Sequence, residues 1–181
     1  MKSSILSGII LTLFLLITCA IIYPLMVVGI AQLTPDKGKG EKVFDQKGNI
    51  YYANIGQKFD KDIYFFSRPS AVDYNASKSG GSNKAPTNPE YLSQVKERVE
   101  IFKMKNHTSY VPVEMVTASG SGLDPDSSLE AANVQTNRIA KARGLDTLKI
   151  HQLIQNHLEK SLFGPEKINV LKLNIDLDNL K

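Results

Sequence analysis

The chain has 181 residues, 42% hydrophobic and 22% charged, with 22 Lys and Arg against 18 Asp and Glu. That balance excludes a disordered polyelectrolyte, and a net charge of +4 with both signs interleaved excludes the basic stripe of a nucleic-acid binder. The single cysteine, Cys19, excludes a disulfide framework and a Cys-based metal site.

The average conceals an asymmetry, because no charged residue occurs between Ser3 and Pro35. Residues 5–28 form an uncharged apolar run, which as a helix at ~1.5 Å per residue covers ~36 Å and spans a ~30 Å hydrocarbon core with some tilt. A cleaved signal peptide normally has a shorter apolar stretch, so the run reads as a retained transmembrane anchor held in membrane lipid. Residues 1–4 are then a short cytoplasmic tail, and 34–181 an extracytoplasmic α+β domain. A tail this short favours export of the long domain, although lysines on both sides of the helix leave the positive-inside rule without a clear vote. Ser4, Gly8 and Thr12 recur every four residues, a small-residue stripe on which another helix can pack closely. Pro24 is expected to kink or end the helix.

Beyond the anchor, residues 43–55 alternate weakly around Lys47-Gly48-Asn49, the turn chemistry of a β-hairpin. An aromatic run, Tyr64-Phe65-Phe66, leads into Arg68-Pro69. Residues 70–88 are rich in Ser, Gly, Asn and Pro, and loops of that length in compact domains are usually functional or disordered. Asn88-Pro89-Glu90 starts a helix whose Leu92, Val95, Val99 and Phe102 make an inward stripe. Residues 111–117 read as a strand, and a second Ser/Gly loop follows over 118–125. Ser127-Ser128-Leu129-Glu130 is a capping box for a helix with Ala131, Val134, Ile139 and Ala142 inward, closed by Gly144. Asp146 caps another helix carrying Ile150, Leu153, Ile154 and Leu158. Alternation at Ile168, Val170, Leu173, Ile175 and Leu177 predicts a terminal strand, with Leu171 out of phase. The fold class is therefore a single N-terminal transmembrane helix plus one small α+β domain, a mixed hairpin and sheet with about three helices.

No phosphate-loop, zinc-helix or nucleophile-elbow motif occurs, and His151 and His157 are six residues apart, off the spacing of a metal pair on one helix face. The hydroxyl-rich loops have two readings. They are rigid turns that dock on a partner, or they cradle an anion with backbone N–H groups at the helix N-termini behind them.

Several blocks in order point to a family. They are residues 66–71 (Phe-Ser-Arg-Pro-Ser-Ala), Tyr74-Asn75, residues 79–83 (Ser-Gly-Gly-Ser-Asn), residues 86–89 and residues 116–125. Ala131-Ala132, Gln135, residues 138–145 and residues 169–174 complete them. With its single N-terminal membrane helix, the chain resembles the C subunit of the bacterial Kdp potassium-transporting P-type ATPase over nearly its whole length. It departs at Ala85, where the family usually has Gly, and at Asp126, where a His is common. The resemblance implies an accessory, non-catalytic subunit in the bacterial cytoplasmic membrane, partnered by a potassium-conducting subunit and a P-type ATPase subunit. The chain's lack of a filter run and of a phosphorylation motif agrees with that. No intrinsic cofactor is implied; ATP enters through the complex. The family is described as a catalytic chaperone raising the pump subunit's ATP affinity, which marks Ser119, Gly120, Ser121 and Gly122 as nucleotide-contacting. The other role is a cap on the external potassium entrance, with Arg68, Pro69, Ser70, Gly80, Gly81, Ser82, Asn83 and Asn88 as the docking loop. A reading from another class stays open: an anchored extracytoplasmic enzyme or ligand-binding module using the Ser/Gly loops, which would need a general base beside Ser119 or Ser121.

Overall fold

A computed structural model describes residues 2–161 and 164–180, with side chains from residue 5 onward. The chain divides into two compact units, Met1–Glu41 and Lys42–Lys181.

The first unit is the apolar helix. It is built from α1 (Lys2–Ile17), a π-helical turn (Thr18–Ile22) and α2 (Tyr23–Ala31). Ile5–Ala31 is long and apolar enough to cross a membrane, three residues longer than the sequence suggests. Pro24 does not end the helix: it stands in the first turn of α2, directly after the π-helical turn. Its ring would press on the carbonyl four residues back, and the wider π turn before it relieves that clash. Thr12 and Thr18 donate their hydroxyls to the carbonyls of Gly8 and Phe14, at 2.8 and 2.9 Å, so these polar groups are satisfied within the helix. Thr12 thus lies over Gly8 in the expected stripe, while the side chain of Ser4 is outside the described residues. After Ala31 the chain folds into turns, and a Cβ on Gly38 (φ +72°) would lie 2.8 Å from the Ala31 Cβ.

The second unit opens with the expected hairpin, β1 (Lys42–Phe44) against β2 (Ile50–Tyr52), antiparallel with Phe44 opposite Ile50 and Lys42 opposite Tyr52. Asp45 closes its turn by accepting from the amides of Lys47 and Asn49. Helix α3 (Pro89–Asn106) begins where the caps predict, with the Asn88 side chain accepting from the Tyr91 amide at 3.0 Å. Its stripe is only partly inward: Phe102 is buried, Val95 and Val99 are half-buried, and Leu92 is exposed.

The strand expected over residues 111–117 is instead a 3-10 turn, Val113–Met115. Pro112 removes a ladder donor, and the adjacent buried pair Met115 and Val116 has no alternation to offer a sheet. Strand β3 (Asp126–Ser127) precedes α4 (Leu129–Arg143), which Ser128 caps at Ala131 N. The acid of the capping box comes from elsewhere: Glu114 accepts from the Ser128 amide at 2.8 Å. The buried face of α4 carries Gln135, Thr136 and Arg138 beside Ala131 and Ile139, whereas Ala142 is exposed. Gly144 ends the helix with φ +66° and Asp146 caps α5 (Thr147–Asn156), both as expected. Leu158 falls beyond α5, in β4 (Leu158–Glu159), which pairs with β5 (Lys167–Asn169). β5 lies between β3 and β4 in an antiparallel sheet.

The expected terminal strand lasts only as far as Asn169. That residue caps α6 (Val170–Asn179), accepting from Lys172 N at 3.0 Å. Val170, Leu171, Leu173, Asn174 and Leu177 are the buried positions, a helical face in which Leu171 is no longer out of phase. Ile139, Ile150, Ile154, Ile168, Leu173 and Leu177 form the main core with Phe65, which comes from the irregular aromatic run. A smaller cluster, Phe102, Met115 and Ala131, joins α3 to α4.

Candidate functional site

The two Ser/Gly loops, some fifty residues apart in sequence, are knitted into one cluster. Ser119 N–H donates to Pro69 O at 3.1 Å and Gly80 N–H to Ser121 O at 2.8 Å. Ser70 Oγ donates to Gly122 O at 2.6 Å and accepts from the amides of Val72 and Tyr74. Within the second loop, Ser119 Oγ accepts from Gly122 N and Ser121 Oγ from Leu123 N, at 3.0 and 3.1 Å. Arg68 closes the base with an ion pair to Asp124 at 2.6 Å. Tyr74 donates its hydroxyl to Arg68 O, and burial pushes its phenol up to about 12.

Two glycines are sterically required here. Gly122 has φ +67°, and a Cβ there would lie 2.5 Å from Val72 Cγ2 and 2.8 Å from Gly80 O. Gly56 lets a third segment in: its amide donates to Leu123 O at 2.8 Å, and a Cβ would meet Asp124 O at 2.5 Å. A Cβ on Gly81 would lie 3.2 Å from Gly120 O, while one on Gly120 would meet nothing within 4 Å.

Of the nucleotide candidates, Ser119 and Gly122 are buried, and Gly120 and Ser121 are exposed at the tip. The amides of Ser119, Gly122 and Leu123 are engaged inside the cluster. Strand β3 separates this loop from α4, whose Ala131 amide is met by Ser128 Oγ and whose cap amide at Ser128 is met by Glu114. Of the docking candidates, Arg68, Pro69, Ser70, Gly80 and Gly81 come together. Ser82 and Asn83 continue the chain beyond the cluster, Asn83 exposed with φ +53°, and Asn88 serves as the cap of α3. His107 is the C-cap of α3, His151 lies exposed on α5, and His157 bonds Asp176 at 2.8 Å. Among the described residues no group of His, Cys, Asp and Glu is arranged to hold a metal ion.

Residues 5–179 match the family model described as KdpC, the c chain of the K+-transporting ATPase. The chain belongs to the KdpC family. It is 50% identical over 174 residues to the potassium-transporting ATPase KdpC subunit of Flavobacterium johnsoniae, covering 94% of this chain and 95% of that one. The KdpC subunit of Bacteroides thetaiotaomicron is 45% identical, with the same coverage, and that of Bacillus mycoides is 41% identical over 99% of this chain and 97% of its own. KdpC membership makes this an accessory subunit of a potassium-transporting ATPase.

Several residues of the KdpC-like blocks prove to be structural. Buried Arg138 donates from Nε to Asn106 Oδ1 (2.9 Å) and from its terminal nitrogens to the carbonyls of Asp62 and Tyr64 and to Gln135 Oε1. Its guanidinium lies 3.7 Å over the Phe66 ring, and burial lowers its pKa to about 10. Gln135 Oε1 also accepts from Phe66 N, and Asn174 pairs with both backbone groups of Phe65, at 2.9 and 3.0 Å. These side chains replace the ladder that the aromatic run lacks, and that run leads directly into Arg68 of the cluster. Periodicity ignores them because they are polar residues in buried places. The only sequence signal was their presence in the matched blocks.

Proposed function

We propose that the chain serves the ATPase complex as a membrane-anchored docking subunit. In this reading the apolar helix holds it in the cytoplasmic membrane, the domain lies outside, and the knitted loop cluster rests against the potassium-conducting subunit. The observation that carries the reading is the closure of the cluster. Its serines and amides bond one another, which makes a preformed surface and lowers the ordering cost of association. One observation favours the rival, a chaperone that contacts ATP bound to the pump subunit: Gly120 and Ser121 are exposed at the loop tip, with open space at Gly120. That same space makes Gly120→Asp a clean test, since the new Cβ meets nothing within 4 Å while the carboxylate repels phosphate. Potassium-stimulated ATP hydrolysis is measured against ATP concentration on variant complexes of checked composition. Docking expects an unchanged half-saturating ATP concentration; an intact complex in which it rises several-fold refutes docking in favour of the nucleotide role. A C-terminal alkaline phosphatase fusion should be active, and activity of only a cytoplasmic reporter would overturn the outside placement.

A further inference from the structure

The β1–β2 hairpin turns an apolar face outward. Phe44 and Ile50 are opposite one another and 57% and 55% exposed, and Tyr52 beside them is 39% exposed, with Lys42 across from it. The alternate residues, Val43 and Tyr51, are half-buried on the inner face. The hairpin is fixed in this attitude. From its turn, Gln46 Nε2 donates to Asp178 O at 3.1 Å and to Asn179 Oδ1 at 2.5 Å, tying it to the end of α6.

We propose that this outward face lies against the lipid surface. The proposal rests on the reading of Ile5–Ala31 as a membrane-spanning helix. Ten residues separate Ala31 from Lys42, and even fully extended they reach only ~35 Å, so the hairpin is tethered close to any bilayer that holds the helix. The face has the chemistry of a membrane interface: an aromatic and a branched aliphatic side chain to enter the headgroup region, a tyrosine with a polar tip, and lysines to meet anionic headgroups. Lys42 and Lys47 frame the face, and Lys37 and Lys39 precede it, all four exposed and outnumbering Asp36, Glu41 and Asp45 in the same stretch. The order along the strands also fits. Lys42 and Tyr52 share one end of the face and Phe44 and Ile50 the other, so the amphipathic pair can reach water while the apolar pair is covered.

The chain contains no tryptophan, so a single introduced one is an unambiguous reporter. The full chain carrying Phe44→Trp is reconstituted into vesicles of phosphatidylcholine and phosphatidylglycerol, with and without lipid brominated near the headgroup. Brominated lipid should lower its emission at least twofold, and iodide should quench it several-fold less than Leu148→Trp, a residue 67% exposed on α5. Tyr51→Trp, on the inner face, should be shielded from brominated lipid. Leu16→Trp, near the midpoint of the apolar helix and read against lipid brominated deep in the acyl chain, separates the two failures. If Leu16→Trp is not quenched by that lipid, the membrane-spanning reading itself fails. If it is quenched while Phe44→Trp remains open to iodide, or if Tyr51→Trp is quenched as strongly as Phe44→Trp, the hairpin proposal is overturned.

Discussion

Gly122→Ala and Gly120→Ala form a pair that separates a built loop cluster from a pair of neighbouring loops. At Gly122 a methyl group would meet Val72 Cγ2 at 2.5 Å and Gly80 O at 2.8 Å, in a left-handed backbone conformation. The conformation costs ~1–2 kcal/mol for a residue with a Cβ. Overpacking adds ~1–3 kcal/mol, and partial relaxation of an exposed loop brings the total to about 2–4 kcal/mol. At 1.4 kcal/mol per tenfold, exchange of the Gly80, Ser119 and Gly122 amides should quicken about 30- to 700-fold. Gly120 has open space and an ordinary φ, so alanine there should leave exchange within about twofold or slow it slightly through the unfolded state. The assay is hydrogen–deuterium exchange of the full chain in detergent, read on peptides covering residues 69–82 and 117–124. The distant residues 69–82 matter most, because only a knitted cluster transmits damage at Gly122 to them. Equal acceleration in both variants, or acceleration confined to 117–124, would refute the closure.

Arg138→Met should lower stability by about 3 kcal/mol, since buried acceptors at Asn106 and Tyr64 lose their donor together with the contact to Phe66. That corresponds to a melting temperature roughly 9 °C lower by near-ultraviolet circular dichroism, and a loss under about 1 kcal/mol would show the network to be dispensable. Tyr74 has its folded pKa raised from 10.0 to about 12, so its contribution is complete below pH 10 and is lost as pH rises toward 12. Arg138, pulled down to about 10, acts in the opposite sense over that window, so the comparison must be with Tyr74→Phe, whose denaturant midpoint should fall less between pH 10 and 12 than the parent's. Gly8→Leu meets nothing within 4 Å of the new Cβ, so it should leave the helix intact but reduce recovery of the assembled complex from detergent. Full recovery would remove the Gly8 and Thr12 stripe from the interface.

Helix ends were legible because their causes are local. Asn88, Asp146 and Gly144 satisfy or close backbone groups within a few residues, each where its residue type predicts, whereas the cap of α4 falls on Ser128, one residue past the Ser127 that heads the capping-box pattern. The C-terminal segment was misread for a physical reason. Val170, Leu171, Leu173 and Leu177 fit a helix, as the out-of-phase Leu171 already signals, but the buried face is completed by Asn174, whose value shows only through Phe65, 109 residues away. Gln135 and Arg138 were hidden in the same way. The Ser/Gly loops drew notice by composition, yet their mutual closure depends on Pro69 and Ser70 meeting Ser119 and Gly122, which no local pattern encodes.

Three of the bonds that secure the first part of the domain await its last part. Ala53 is held by Asn169, Phe65 by Asn174, and Gln46 by Asp178, across separations of 116, 109 and 132 residues. During synthesis the hairpin and the aromatic run therefore emerge long before these C-terminal partners exist, and the bonds from Gln135 and Arg138 alone leave the hairpin and Phe65 unheld. Most of the domain must stay unfolded until α6 has left the ribosome or the translocation machinery, because contacts this distant form only after a large loop has closed. A nascent chain arrested before residue 169 should thus be open to protease throughout residues 42–66, and release of the final dozen residues should protect the whole domain in one step.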